Sequence, residues 1–183
     1  MNVQTSRTMP PDLVTNRFQL TLLGPVHLVE VHELFSDPHG HTIGDGPSQT
    51  SSQTLEWLER RQSRYRDQGL AWYGIWDDGS FVGSCGAFTG QRCGDDPEIG
   101  YETKRALRGH GIALEAAEAV TAAVLDAGHR RLWATIRPHN TASCRIVEQL
   151  GYALERDEPD AKGPLFYYVN RPGSDGGSQS IND

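Results

Sequence analysis

A segment with two glycines, running from Arg108 to Ala113 with the sequence RGHGIA, has the residue types of an anion-binding turn. Glycine reaches backbone conformations that other residues avoid, so the chain can turn sharply here. The apolar spacing that follows predicts a helix from Ile112 to Ala127, and no Ser, Thr, Asp or Asn stands before it as a cap. Because free N–H groups and the helix dipole both favour negative charge, the turn predicts a phosphate site; an ordinary tight turn is the alternative.

A second polar pattern surrounds the start of a helix predicted from Thr141 to Leu150. Asn140 stands at the N-cap position, where Asn is favoured, and Ser143 follows one turn later, so both side chains can face one cleft. Ser is a poor residue inside a helix unless its hydroxyl has a local use. Each residue therefore has two interpretations, a bond to the local backbone or contact with a ligand. Cys144 is interpreted as a core residue.

A third candidate is Glu98, at the start of a strand predicted from Glu98 to Thr103. A carboxylate placed there could accept a proton from an amine, directly or through water. The alternative is a solvated Glu at the end of a strand. These two interpretations stay open from the sequence.

Four motifs, in order and with matching spacing, resemble the GNAT superfamily of acetyl-CoA-dependent N-acetyltransferases. Within that superfamily the chain is most similar to the Rim-type branch, whose members acetylate the N-termini of ribosomal proteins. The resemblance runs from about Thr15 to Tyr168. The motifs are Glu98-Ile-Gly-Tyr101, Arg108-x-x-Gly111-x-Ala113, Asn140-x-Ala-Ser143-x-Arg145 and Leu150-Gly-Tyr152.

This resemblance implies roles for the candidate residues, with acetyl-CoA as the co-substrate and no metal. It makes Glu98 the candidate base and Ser143 the group that stabilises or protonates the leaving thiolate. Many other members carry a Tyr for that purpose at the position of Val147. Asn140 would also contact the coenzyme. The residues implied in coenzyme binding are the backbone groups of Ile99, Tyr101 and Thr103, the anchor residues Arg108, Gly109, His110, Gly111, Ala113 and Leu114, and Asn140 with Ser143.

The resemblance also implies an α/β fold, in which helices flank a mixed, mostly antiparallel sheet. Strands 98–103 and 132–136 would splay to form the acetyl-CoA cleft. We expect a flexible arm over residues 1–14, one acetyltransferase domain over 15–171 and a disordered tail over 172–183. Other strands are predicted at 17–23, 70–76, 81–88 and 165–169, other helices at 26–35 and 54–68, and a loop at 36–52. The segments 37–52 and 157–163 are expected to define the acceptor pocket.

Composition narrows the class of protein further. The chain has 183 residues, a formal net charge of −7 and a pI near 5.4, which argues against broad binding to nucleic acid. Its three cysteines form no CxxC pair, so neither a disulfide framework nor a structural zinc site is expected. We expect the protein to work in a reducing cytoplasm. No apolar run reaches the length of a membrane span.

The acceptor is left open by the sequence. The resemblance implies a primary amine, either at a protein N-terminus or on a small molecule, and a homodimer is common in this branch. The rival function is a catalytically silent acyl-CoA-binding module on the same fold, and a protein that binds no coenzyme is a third. The pair His39 and His41 is interpreted as incidental, and the basic run Arg60, Arg61, Arg64 and Arg66 as a solvated helix face.

Overall fold

Eight strands form one mixed sheet in a computed structural model that describes residues 8–39 and 46–172. Their order across the sheet is β1-β2-β3-β4-β5-β6-β8-β7, and each neighbouring pair is antiparallel except β5 with β6. The strands are β1 (Asp12–Val14), β2 (Gln19–Leu22), β3 (Trp72–Asp77), β4 (Ser80–Thr89), β5 (Pro97–Thr103), β6 (Leu132–Ile136), β7 (Ala153–Asp157) and β8 (Phe166–Asn170).

Helices cover both faces of this sheet. The helices α1 (Leu28–Phe35) and α2 (Ser51–Gln68) pack on one face through a core that includes Leu58 and Trp72. The other face carries α3 (Ile112–Asp126) and α4 (Thr141–Gln149), whose apolar stripes join the larger core. A parallel pair needs a long crossover, and α3 supplies it between β5 and β6. The predicted α/β class and mixed sheet are confirmed.

The two parallel strands separate soon after they meet. Glu98 and Trp133 form the single registered pair between β5 and β6 in the described chain. Beyond it the rest of β5 has β4 on one side only, with pairs running from Ile99 to Thr103. The predicted splay of strands 98–103 and 132–136 is therefore present, and it leaves an opening in the middle of the sheet.

Local sequence signals account for most element ends. Thr50 accepts a hydrogen bond from the Gln53 backbone N–H, and the Gln53 side chain returns to Thr50, a capping box that starts α2 at Ser51 rather than at the expected Thr54. The β3–β4 hairpin turns at Asp78 and Gly79, both with positive φ, as the Asp-Gly step predicts.

Two strands lie where none was expected. The expected flexible arm over residues 1–14 is wrong for residues 12–14, which form β1, and Met9 before them is buried. Strand β7 was missed because its side chains are mostly exposed and charged, so they show no alternating apolar pattern. The expected tail lies outside the described residues from 173 onward, as does His41. Within residues 8–39 and 46–172, no helix is long and apolar enough to cross a membrane.

Candidate active site

The turn before α3 has the geometry of an open helix N-terminus. Gly111 is the N-cap with φ +76°, Gly109 has φ +80°, and no side chain caps the helix. Residues 108–111 are exposed, whereas Ile112 is buried and fixes the helix to the sheet. The first N–H groups of α3, including those of Ala113 and Leu114, thus begin a helix that only an outside acceptor completes.

Arg17 contacts this turn from a distant part of the chain, and no local sequence pattern indicates the contact. Its Nε lies 2.7 Å from Glu115 Oε2, and its Nη1 donates to the His110 carbonyl at 3.1 Å. Its Nη2 would lie 3.3 Å from a Cβ built on Gly111. Glu115 is the acidic residue in the first turn of α3, so its charge would oppose a bound phosphate. Burial alone would raise the pKa of Glu115, but a hydrogen bond from Thr15 and the hydrogen bonds and charge of Arg17 together lower it.

Replacing Arg17 by Gln should weaken acetyl-CoA binding by about three- to tenfold, because a charge-assisted bond to the turn is lost and Glu115 loses the positive charge that offsets its own. Arg60→Gln is the matched control, since Arg60 is exposed and pairs with Glu56 on the outer side of α2. Calorimetric titration with acetyl-CoA measures both variants. Equal affinity for the Arg17 variant and its control would remove Arg17 from the anchor.

Asn140 and Ser143 meet at the start of α4, as their spacing predicts. The Asn140 side chain accepts a hydrogen bond from the Ser143 backbone N–H at 3.2 Å, so the capping interpretation of Asn140 is confirmed. The Tyr101 hydroxyl donates to the Ser143 carbonyl at 3.2 Å, and a side-chain hydrogen bond with Ser143 partly offsets the burial that raises the pKa of Tyr101. The Tyr101 phenol and the Ser143 hydroxyl therefore lie together on the α4 side of the opening between β5 and β6.

The other tyrosines near this site are engaged elsewhere. The Tyr168 hydroxyl donates to Glu148 Oε1 at 2.9 Å. Tyr167 lies on the opposite face of the sheet, where the Arg156 guanidinium stacks 4.1 Å from its ring centre. Cys144 is buried in the core, as expected. Tyr101 is thus the tyrosine that stands beside Ser143.

Glu98 is buried rather than solvated. Only 2% of its surface is exposed, and its Oε2 accepts a hydrogen bond from the Thr135 hydroxyl at 3.0 Å. Its Oε1 lies against Gly90, where an added Cβ would come within 2.5 Å of that oxygen. Burial raises the pKa of Glu98 above its ordinary value, and the bond from Thr135 offsets part of this shift. A carboxyl with a raised pKa at a strand opening has the properties of a general base.

The two candidate catalytic side chains reach the opening from opposite faces of the sheet. Side chains alternate along a strand, so Glu98 projects with Gly100 toward the α1–α2 face, and Tyr101 projects toward α4 and Ser143. The opening between β5 and β6 connects these two faces at the Glu98–Trp133 pair. Two reagents entering from the two faces would therefore meet there.

Arg137 shapes the rim of this opening on the α1–α2 side. Its guanidinium bonds both carboxylate oxygens of Asp160, at 2.7 and 2.8 Å, and the carbonyls of Gly163 and Pro164. These bonds hold the 157–163 segment, which we expected to border the acceptor. Arg137 directly follows β6, and that position was the available signal for its role. No group of three or more His, Cys, Asp or Glu in residues 8–39 and 46–172 is placed to hold a metal.

Comparisons with known proteins agree with this geometry. A family model described as an acetyltransferase (GNAT) domain matches residues 17–153. A search of curated protein sequences found no match.

Solved structures show the same fold at low identity. An acetyltransferase of the GNAT family from Bacillus anthracis is 21% identical with a TM-score of 0.73, covering 87% of this chain and 98% of that one. A ribosomal-protein-S5-alanine acetyltransferase from Vibrio fischeri is 15% identical with a TM-score of 0.75, covering 87% and 96%. RimL, a ribosomal L7/L12 α-N-protein acetyltransferase seen with coenzyme A, is 16% identical with a TM-score of 0.76, covering 91% and 99%.

The family model spans three quarters of the chain and includes the turn before α3, the splayed strands and the start of α4. The chain belongs to the GNAT acetyltransferase family and is an acetyl-CoA-dependent N-acetyltransferase.

Proposed function

We propose that this protein transfers acetyl from acetyl-CoA directly to a primary amine at the opening between β5 and β6. The observation that carries the proposal is the arrangement around that opening. An uncapped helix N-terminus lies near one side, a hydroxyl pair lies on the same face, and a buried carboxyl lies on the other. Each of these groups matches one requirement of acetyl transfer.

The coenzyme occupies the α3–α4 side in this proposal. Its pyrophosphate binds the N–H groups of the anchor turn, with Arg108, Gly109, His110, Gly111, Ala113 and Leu114 around it. The His110 imidazole Nδ1 lies 3.0 Å from the Arg108 carbonyl and 3.1 Å from the Leu107 carbonyl, so it stiffens the turn more than it neutralises phosphate. The pantetheine arm follows the free edge of β5 past Ile99, Tyr101 and Thr103, toward Asn140.

The amine enters from the α1–α2 face and attacks the thioester carbon at the opening. Glu98 receives the amine proton through a water, because the segment at Gly90 covers its carboxylate from direct contact. The Thr135 hydroxyl fixes the carboxylate in place. The carbon–nitrogen bond forms as the carbon–sulfur bond breaks, and the sulfur leaves with the electron pair.

The leaving thiolate meets Ser143 and Tyr101 on the other face. Burial keeps the pKa of the Tyr101 phenol high, so the phenol stays protonated, and on turning its O–H from the Ser143 carbonyl it can donate a hydrogen bond or a proton to sulfur. Val147 is buried in the core and offers no such group. The Ser143–Tyr101 pair therefore supplies the donor that a Tyr on α4 provides in other members of the family.

The acceptor is a primary amine of a protein N-terminus or of a small molecule. Two of the structural neighbours bear the names of enzymes that act on ribosomal proteins, which supports the first class. All three cysteines are free and buried, which fits work in a reducing cytoplasm.

A thiol-release screen tests this function. The full chain is incubated with acetyl-CoA and a panel of N-terminal peptides and small amines, and the acetylated products are identified by mass. We expect amine-dependent release of coenzyme A with one acetylated product per thiol. Tight acetyl-CoA binding without turnover on any amine would instead indicate a catalytically silent coenzyme-binding module.

Ser143→Ala should lower kcat about tenfold or more on the preferred acceptor while the acetyl-CoA affinity changes little, because the lost donor acts mainly in the transition state. Tyr101→Phe removes the neighbouring phenol hydroxyl and keeps the ring. If the phenol delivers the proton, kcat of this variant should fall at least as much as that of Ser143→Ala. Rapid kinetics with chemistry rate-limiting measures both. Parental kcat in both variants would exclude this pair from the mechanism.

A further inference from the structure

Arg61 on α2 is held in an aromatic cluster formed by Trp57, Trp72 and Phe88, which contradicts its interpretation as part of a solvated face. Its guanidinium carbon lies 4.8, 4.5 and 4.8 Å from the three ring centres. Its Nη1 is buried and makes no hydrogen bond. Moving a cation out of water costs free energy. Contact with aromatic faces offsets part of that cost, but the rings give the N–H donors no hydrogen-bond acceptor.

No acidic side chain in the described chain neutralises Arg61. Burial, and after it the like charges of Arg64 and Arg60, lower the pKa of Arg61 to about 9. At neutral pH the guanidinium therefore stays charged. The Trp72 indole Nε1, on one of the rings that enclose it, is also buried without a partner. Both unsatisfied groups are donors, so an oxygen-rich anion is the chemistry that would complete them.

The aromatic cluster borders the acceptor side of the opening. Phe88 is paired in register with Glu98, and Trp72 reaches across to Gly100, where an added Cβ would lie 2.6 Å from its ring. The Phe88 ring is also close to Gly90, which covers the Glu98 carboxylate. One aromatic residue thus separates the unpaired cation from the candidate base, on the face that the amine enters.

We propose that Arg61 and the Trp72 indole form a subsite for a carboxylate carried by the amine acceptor, so that the preferred substrates are amines with a nearby negative charge. This inference rests on the proposed function, since it specifies the acceptor of the same site. The carboxylate can belong to a free amino acid or to an acidic side chain of a peptide. The net charge of −7 disfavours the approach of such acceptors at long range, so a cation at the site would favour their binding locally.

Matched acceptor pairs test the subsite with the full chain. The first arm compares alanine with alaninamide, and the second compares peptides that differ only by Asp or Asn at the second position. We expect the parent to favour the carboxylate member of at least one pair by about tenfold to a hundredfold in kcat/KM, the range for hydrogen bonds to a charged group. Equal rates within both pairs would overturn the proposal and leave acetyl transfer standing.

Variants show whether Arg61 and Trp72 cause the preference for the carboxylate acceptor. Arg61→Gln should abolish the preference by raising KM for the carboxylate member alone, and Trp72→Phe should reduce it while the ring remains. Arg60→Gln is the control, one residue away and exposed, and it should behave as the parent does. A preference that persists in Arg61→Gln, in a protein shown to be folded by its thermal transition, would also contradict the subsite.

An equilibrium measurement removes the dependence on turnover. N-acetylalanine and N-acetylalaninamide are titrated calorimetrically into the protein saturated with coenzyme A. The carboxylate form should bind at least about tenfold more tightly to the parent and equally weakly to Arg61→Gln. If this difference appears while no amine is acetylated, the subsite stands and the proposed function fails; if the two compounds bind equally, the subsite is wrong.

Discussion

Glu98→Gln should lower kcat/KM at neutral pH by about a hundredfold, the lower range for loss of a positioned general base. The parent's kcat/KM should rise with pH along a limb that lies above the ordinary Glu pKa, because burial raises the pKa of Glu98. The kcat/KM of the Gln variant should lack this limb. It should approach the parent's value only at a pH where the amine in solution is already neutral. Coenzyme affinity should be unchanged, since the residue faces the acceptor side.

Glu102→Gln is the matched control for this experiment. Glu102 lies on the same strand and face as Glu98 and is also buried, but it stands four residues beyond the Glu98–Trp133 pair, in backbone register with Ser84 on β4. Its pH profile should follow the parent's. Parallel profiles for the parent and Glu98→Gln, with neutral-pH activity retained, would return Glu98 to a structural role.

The same substitution has a predicted effect on stability with the opposite sign. The pKa of this carboxyl is higher in the folded protein than in the unfolded chain. Its contribution to stability is therefore greatest below the pKa of the unfolded chain, and it is lost as the pH rises through the pKa of the folded protein. Glu98→Gln removes that fall, so its Tm at pH 7 should equal or exceed the parent's. An activity loss joined to an unchanged or higher Tm separates a catalytic role from a merely destabilised fold.

Gly111→Asp should weaken acetyl-CoA binding by about a hundredfold. Two like charges about 4 Å apart near a protein surface repel by about 4 kcal/mol, and salt screening reduces this to the stated change. The fold should survive, since Asp tolerates the left-handed backbone at Gly111 and Arg17 Nη2 lies within reach of the new side chain.

Gly111→Asn isolates the charge in this prediction. Asn has the shape of Asp and the same tolerance for positive φ, so any effect of size or backbone strain appears in both variants. Calorimetry should show a modest loss for Asn and the large loss for Asp. Equal affinities for the two would mean that no phosphate binds at the turn.

The open start of α3 and the capped start of α4 could be predicted from sequence because their signals are local. Gly111, Asn140 and Ser143 act through backbone conformation, helix capping and spacing along one helix, and each of these follows from neighbouring residues. The splay of β5 and β6 could be predicted only through the family resemblance, because no local sequence pattern specifies where two strands separate.

The parts that could not be predicted depend on contacts distant in the chain. Glu98 is buried by Thr135 and the segment at Gly90, Arg17 reaches a turn more than ninety residues away, and Arg61 enters a cluster with Trp72 and Phe88. The sequence predicts a solvated position for Arg61 because nothing in a run of arginines on one helix shows which of them faces the protein interior. Only tertiary packing singles out the one that turns inward.

Mass spectrometry of a single turnover tests the central claim most directly. A limiting amount of acetyl-CoA is mixed with excess protein and its acceptor, and the protein, the amine and the free thiol are followed together. Direct transfer predicts that the acetyl group moves to the amine with one coenzyme A released for each product, while the mass of the protein never changes. An acetylated protein that forms before the acetylated amine, or coenzyme A released with no acetylated amine, would contradict it.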